Sequence, residues 1–116
     1  MLTMKINKST VKTEINFRNL STKEITLTIP KDSCIEWRFI PDNDARIEIK
    51  FEDKVKTLSL ISASKKLTGF TAEPTLNTMS RWIDDGIARS VTGKRVEPDG
   101  HGDDGSPSWL LVLGFI

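Results

Sequence analysis

The sequence contains few of the residues that build disulfides, metal sites and nucleophilic sites. There is one cysteine, Cys34, and one histidine, His101, among 116 residues. A single cysteine excludes an internal disulfide, and its position beside Ile35 predicts a small residue of the core instead of a reactive thiol. A tetrahedral zinc site would need carboxylates for most of its ligands, because only one histidine and one cysteine are present.

Long apolar runs and an excess of charge of one sign are also missing. The net charge is +1, so no overall field attracts nucleic acid or a membrane surface. The most apolar run, residues 107–116, is far shorter than the ~20 residues that a membrane helix needs. No charged-then-apolar leader opens the sequence, which argues against secretion. We therefore expect a cytoplasmic protein with no membrane partner, folded as a single domain over residues 1–116.

Short segments that alternate between apolar and polar residues dominate the first half of the chain. They are separated by turn residues such as those at 30–33 and 41–44, and they occupy residues 11–17, 25–29, 35–39, 47–51 and 55–61. This period-two pattern predicts an antiparallel β-meander of about five strands within residues 10–62. Its dry face includes Ile25, and its wet face mixes charges of both signs.

One helix is predicted over residues 75–86, after a connector over residues 62–73. Thr75 is a suitable N-cap, or Asn77 if the start slips along the chain, and Gly86 suits a left-handed C-cap. The apolar residues that share one face at helical spacing are Leu76, Met79, Trp82 and Ile83. We expect this face to cover the dry side of the meander.

The last segment, residues 87–116, predicts a hairpin, a loop and a strand. The hairpin turns at Thr92 and Gly93, and the loop, called here the Gly/Asp loop, covers residues 96–106. The apolar run from Trp109 to Phe115 predicts a final buried strand, because frayed ends are normally polar. Together with the meander and the helix, this strand would close the core of an α+β domain.

The Gly/Asp loop holds the residues with the most chemical character. Oxygen-rich loops can bind calcium when carboxylates converge. The segment that begins at Asp99 does not match the calcium-binding loop of an EF-hand. Asp104 occupies the sixth position, which needs glycine, and Leu110 occupies the twelfth, which needs glutamate. His101 is a candidate general base with a neighbouring aspartate, but no G-x-S-x-G nucleophile motif is present. The alternative is a turn-rich loop whose aspartates cap backbone N–H groups.

Charged residues next to the loop offer two further surfaces. Asp84 and Asp85 lie in the last helical turn, where the helix dipole disfavours negative charge. Lys94 and Arg95, with Arg89, make the hairpin basic, so a nucleic-acid-binding β-ribbon is an alternative. Acidic residues are interleaved with this ribbon, and no strand carries the exposed aromatic residues of an RNA-binding sheet.

Residues 90–114 (SVTGKRVEPDGHGDDGSPSWLLVLG) and residues 81–86 (RWIDDG) resemble the C-terminal part of small uncharacterised proteins of bacterial prophages and mobile elements. No activity is assigned to that family, so the resemblance implies no catalytic residue. It implies a context, since accessory proteins of this kind commonly bind or inhibit host machinery.

The sequence therefore predicts a small protein-binding accessory module of phage origin, with a host or phage protein as its partner and no cofactor. The residues expected to form the binding face are Asp84, Asp85, Lys94, Arg95, Asp99, His101, Asp103 and Asp104. The alternatives are nucleic-acid binding by the basic hairpin and a metal-dependent hydrolase centred on His101. Pairing of exposed sheet edges between copies leaves a homo-oligomer open.

Overall fold

A computed structural model describes residues 6–116 and combines antiparallel sheets with short helices. The elements in chain order are β1 (Asn7–Thr10), β2 (Ile15–Arg18), β3 (Ile25–Ile29), β4 (Cys34–Ile40), β5 (Asn43–Phe51), β6 (Lys54–Ser59), α1 (Leu60–Lys66), α2 (Leu76–Asp85), β7 (Ala88–Arg89), β8 (Arg95–Val96) and α3 (Trp109–Val112). The predicted α+β class is confirmed. Within residues 6–116, no helix is both long enough and apolar enough to cross a membrane.

The main sheet has the strand order β1-β4-β5-β6, and every neighbouring pair is antiparallel. β4, β5 and β6 form a three-stranded part of the predicted five-stranded meander. β2 and β3 do not join it, because they pair only with each other as a separate two-stranded ribbon. Their place beside β4 is taken by β1, in a segment for which the sequence predicted no structure. Alternation identifies a half-buried strand but not its partner, which explains this difference.

The core lies on one face of the main sheet. Trp37 is opposite Ile49, and Phe39 is opposite Ile47, with Trp37, Ile47 and Ile49 buried. The indole of Trp37 stacks edge-on against Phe39, with 4.9 Å between ring centroids. The opposite face carries the mixed charges that the sequence predicted.

Ile25 and Cys34, both predicted for the core, lie outside it. Ile25, at the start of β3, is 48% exposed because it lies at the turn end of its ribbon, whereas Ile15 and Ile29 at the other end are buried in the core. Cys34, at the start of β4, is also exposed, so the prediction of a small core residue is wrong. Its neighbour Ile35 takes the buried position of the alternation instead.

Helix α1 was not predicted, because the pattern extended the fifth strand to Ile61. The strand ends at Ser59, whose hydroxyl accepts a hydrogen bond from the N–H of Ser62 and caps α1. Helices α1 and α3 contact β5, so they cover the dry face of the sheet. The helix at residues 75–86 was predicted to do so, but it contacts β7 instead. Of its predicted face, Trp82 packs against the main core, whereas Leu76 and Ile83 are exposed.

The predicted helix nevertheless forms with the predicted ends. The hydroxyl of Thr75 accepts from the N–H of Thr78, and Gly86 has a φ of 69° in the left-handed region. Thr75, and not the alternative Asn77, is therefore the N-cap. This helix packs through Met79 against Ala88, in a second apolar cluster that Leu110 completes.

The C-terminal run is not a buried strand, which corrects the prediction for residues 109–115. The hydroxyl of Ser108 accepts from the N–H groups of Leu110 and Leu111 and starts the short helix α3. Trp109 is 1% exposed, whereas Phe115 is 47% exposed. The first half of the run therefore completes the core and its end reaches solvent. A short apolar run is compatible with either a strand or a helix. Here the N-cap hydrogen bonds of Ser108 favour the helix.

Candidate functional site

The β7–β8 hairpin is bonded through its backbone to the residues that directly follow the Gly/Asp loop. The N–H of Val91 donates to the carbonyl of Pro107 at 3.0 Å. Ser90 and Ser108 form an isolated antiparallel bridge at the same place. The loop closes on itself where the N–H of Gly102 donates to the carbonyl of Ser106 at 2.8 Å. The end of the loop is thereby held against the hairpin turn.

A network of hydroxyl groups around one carboxylate joins the same two segments. The hydroxyl of Thr92, on the hairpin, donates to Oδ2 of Asp104 at 2.7 Å. The hydroxyl of Ser106 donates to Oδ1 of the same carboxylate at 2.5 Å. The Oγ atoms of Ser106 and Ser90 are 2.7 Å apart. Ser90 and Ser106 are fully buried, so each depends on these partners in place of water.

The hydrogen bonds of this network all donate toward Asp104. A hydroxyl carries one proton, so when Ser106 donates to Asp104, Ser90 must donate to Ser106. Ser90 in turn accepts from the N–H of Lys94 at 3.0 Å. The chain of donors begins at the backbone of the hairpin and ends on the charge of Asp104. Such polarised chains strengthen their members.

The pKa of Asp104 reflects this arrangement. Burial alone raises the pKa of the carboxyl, but hydrogen bonds from Ser106 and Thr92 oppose it and lower the pKa below its ordinary value of 3.8. Asp104 is therefore ionised at neutral pH, which suits its role as the terminal acceptor of the donor chain. Asp104, a carboxylate of the loop that was considered for calcium binding, is therefore committed to structure, and so is Ser106.

Gly102 allows the network to close. A Cβ at this position would lie 2.7 Å from Oδ1 of Asp104 and 2.9 Å from Oγ of Ser106. Any side chain would have to displace one of them. Ser108 secures the other end of the loop, since its hydroxyl donates to the carbonyl of Pro98 at 2.6 Å.

The predicted charged residues remain on the outside of this framework. Asp103 has a side chain that is 88% exposed, and its Oδ1 is 3.9 Å from Nζ of Lys94. This exposed contact contributes little to stability. Arg95 and Asp99 are also exposed. The hairpin and the loop together thus present fixed backbone with solvated charges.

The imidazole of His101 pairs with a carboxylate outside the loop. Its Nε2 is 2.7 Å from Oδ1 of Asp44, at the start of β5. The serines nearest to His101 in the sequence, Ser106 and Ser108, are fully buried and hydrogen-bonded to other groups, so neither is an accessible nucleophile. Over residues 6–116, no three His, Cys, Asp or Glu side chains are grouped so that they could hold a metal ion. The geometry gives no support to a hydrolytic centre at His101.

Asp84 and Asp85 stand apart from the network. Both are exposed in the last turn of α2. Across residues 6–116, no side-chain hydrogen bond or ion pair joins either of them to the hairpin or the loop. The structure therefore brings together only part of the predicted face.

Sequence reasoning missed the residues that hold the site together, namely Ser90, Thr92, Ser106 and Ser108. The signal was the density of hydroxyl residues in SVT and SPS on either side of the loop. It also missed Asp44, for which no local signal exists, because Asp44 and His101 are far apart in sequence.

Comparisons with protein-family models, with curated proteins and with solved structures find no match to this chain. A function must therefore be inferred from the site itself. The resemblance of residues 81–86 and 90–114 to prophage proteins stays a prediction.

Proposed function

We propose that this chain is a small protein-binding module. Its contact surface, called here the hairpin–loop surface, consists of the exposed residues Lys94, Arg95, Asp99, His101 and Asp103. Binding residues commonly lie on loops that a rigid scaffold positions. The observation that supports the proposal is the buried hydroxyl network on Asp104, which joins the Gly/Asp loop to the hairpin and so holds the exposed charges of the loop in place.

Fixing the loop has a clear energetic consequence for binding. A loop that is ordered before binding loses less conformational entropy on association. Exposed charges of both signs give orientation and partner selection more than raw affinity. A partner protein with complementary charges fits this surface, and the prophage resemblance favours a host or phage protein of the cytoplasm.

The alternatives receive less support. Lys94, central to the nucleic-acid hypothesis, is placed next to the carboxylate of Asp103. The metal-dependent hydrolase lacks both a ligand cluster among residues 6–116 and an exposed serine nucleophile.

The test compares variants that change the surface without touching the network. Asp99→Ala combined with Asp103→Ala should keep the native melting temperature, because both side chains are exposed. It should lose partners that the immobilised native chain captures from a bacterial host lysate. Asp104 must stay unchanged, since its removal would disturb folding.

A matched control removes the same charge elsewhere. Glu36→Ala combined with Asp53→Ala changes two exposed carboxylates, one on β4 and one in the turn between β5 and β6. This control should capture the same partners as the native chain. Equal capture by all three proteins, or equal loss in both variants, would reject the hairpin–loop surface.

A further inference from the structure

A groove next to the hairpin–loop surface lies between α2, the segment 71–74 and the β7–β8 hairpin. Its volume is 410 Å³. Its walls include Thr71, Ala72, Pro74, Thr78, Trp82 and Arg89. Tryptophan and arginine, which both line this groove, are enriched where one protein binds another.

The floor of the groove is held in place by hydrogen bonds. The indole Nε1 of Trp109 donates to the hydroxyl of Thr71 at 2.8 Å, and that hydroxyl donates to the carbonyl of Val91 at 3.2 Å. The N–H of Thr71 donates to the same carbonyl at 2.9 Å. Trp109 is 1% exposed. The groove is therefore formed before any partner arrives.

Arg89 lines the hairpin wall of the groove, and Arg95 lies beside it on the neighbouring strand. Arg89 and Arg95 are opposite each other in the β7–β8 register, on the face away from the buried Ala88 and Val96. Like charges directly opposite are destabilising in a two-stranded ribbon. The ion pairs within residues 6–116 involve neither arginine. The contact that Arg89 makes is with the carbonyl of Gly93, at 3.4 Å.

We propose that this groove binds a short segment of a partner protein in which an acidic residue stands next to a large apolar residue. The apolar side chain would occupy the groove against Trp82, and the carboxylate would neutralise the pair Arg89 and Arg95. Arginine is suited to this role, because its guanidinium can hold a carboxylate through two hydrogen bonds. The inference rests on the proposed function as a protein-binding module, and it names the chemistry of the partner.

The surrounding charge favours a peptide over a nucleic acid. Residues 67–116 contain four Lys and Arg against seven Asp and Glu. A phosphate backbone brings many negative charges and would be repelled by the exposed aspartates of this half. The negative charge of one or two peptide carboxylates can be neutralised by Arg89 and Arg95 alone.

The experiment selects ligands for the whole chain from a phage-displayed library of random dodecapeptides. Enriched sequences should contain Asp or Glu beside Trp, Phe, Leu or Met. The most enriched peptide is then labelled with fluorescein, and its affinity is measured by fluorescence anisotropy at about 0.15 M salt, where weak surface electrostatics are screened.

Two variants test the two halves of the groove. Arg89→Glu combined with Arg95→Glu should weaken this peptide roughly tenfold or more and turn a repeated selection toward Lys and Arg. Ala72→Trp should weaken it by a similar factor, because Ala72 is exposed and a large side chain there fills the groove. Lys54→Glu combined with Lys65→Glu makes the same charge change at exposed sites on other elements and should leave the affinity unchanged.

Enrichment without acidic residues, or unchanged affinity in either groove variant, would overturn the inference. Binding of a labelled single-stranded oligonucleotide that depends on both arginines, with no peptide enriched, would overturn it in favour of nucleic acid. The variant Asp99→Ala with Asp103→Ala separates the two proposals. If it keeps both lysate capture and the selected peptide, the hairpin–loop surface fails while the groove stands.

Discussion

Asp104 is the position at which the hydroxyl network can be tested most directly. The substitution Asp104→Asn keeps the shape of the side chain and removes its charge. The amide oxygen can still accept from Ser106, and Thr92 can turn its proton toward Oγ of Ser106, which is 3.0 Å away. The network can therefore reform with neutral acceptors, and the loss measures the contribution of the charge.

The expected size of the loss follows from the bonds involved. Hydrogen bonds to a charged group contribute about 1.5–3 kcal/mol, and neutral ones about 0.5–1.5 kcal/mol. Two hydroxyl donors lose this charge assistance. Because Asp104 is only half-buried, the lower end applies, and we expect the free energy of unfolding to fall by about 1–2 kcal/mol. The melting temperature should fall by roughly 4–10 °C.

The contribution of Asp104 to the free energy of unfolding should depend on pH in a definite direction. The pKa of Asp104 is lowered in the folded protein from its ordinary value of 3.8. Its stabilisation is therefore complete above the unfolded pKa and is lost as the pH falls through the lower folded pKa. Urea unfolding of native and variant chains should show the full difference at pH 7 and a smaller one below about pH 4.

Asp103→Asn is the matched control, since it makes the same change one residue away on an exposed side chain. It should change the free energy of unfolding by less than about 0.5 kcal/mol at any pH. Equal losses of stability in the two variants, or a loss for Asp104→Asn that is as large at pH 3 as at pH 7, would show that the charge of Asp104 does not stabilise the network.

Three further substitutions test other parts of the structure. Gly102→Ala should lower the free energy of unfolding by about 1–3 kcal/mol in urea, because the new methyl group displaces Asp104; a neutral result would contradict the close approach. Ile47→Ala, which empties a fully buried position of β5, should lose about 2–5 kcal/mol, whereas Val55→Ala, on the exposed face of the edge strand β6, should lose under about 1 kcal/mol. Thr75→Ala should cost about 1 kcal/mol and reduce helical circular dichroism, and an unchanged spectrum with unchanged stability would reject the capping hydrogen bond.

Local signals predicted the parts of the fold that local contacts determine. Thr75 and Gly86 set the ends of α2 because a cap bonds to backbone groups within one turn. Strands β4, β5 and β6 follow one another through tight turns, so their pairing was also predictable. In each case the deciding partner lies within a few residues of the signal.

Pairings that close long loops were not predictable in this way. β1 pairs with β4 across the whole β2–β3 ribbon, and nothing in Asn7–Thr10 alone identifies β4 as its neighbour. The C-terminal run was misread because an apolar segment of this length suits a strand or a helix equally well. The hydroxyl of Ser108 then decided the outcome at a single position.

The candidate site also has features that local sequence predicts and features that depend on distant partners. Glycines and aspartates predicted the Gly/Asp loop correctly, because they specify turn geometry locally. The roles of individual residues depended on partners elsewhere in the chain. Asp104 was grouped with Asp103 as a surface carboxylate, yet Thr92 and Ser106 make it structural, while Asp103 stays exposed.

This division of roles bears on binding as well as stability. If the hairpin–loop surface captures a partner, Asp104→Asn should weaken capture without removing any residue that the partner touches, because a loosened loop must be ordered on association. Asp103→Asn should weaken capture while leaving stability intact. A loss of binding that tracks stability across both variants would show that the surface contributes only through folding. A loss in Asp103→Asn at unchanged stability would identify a direct contact.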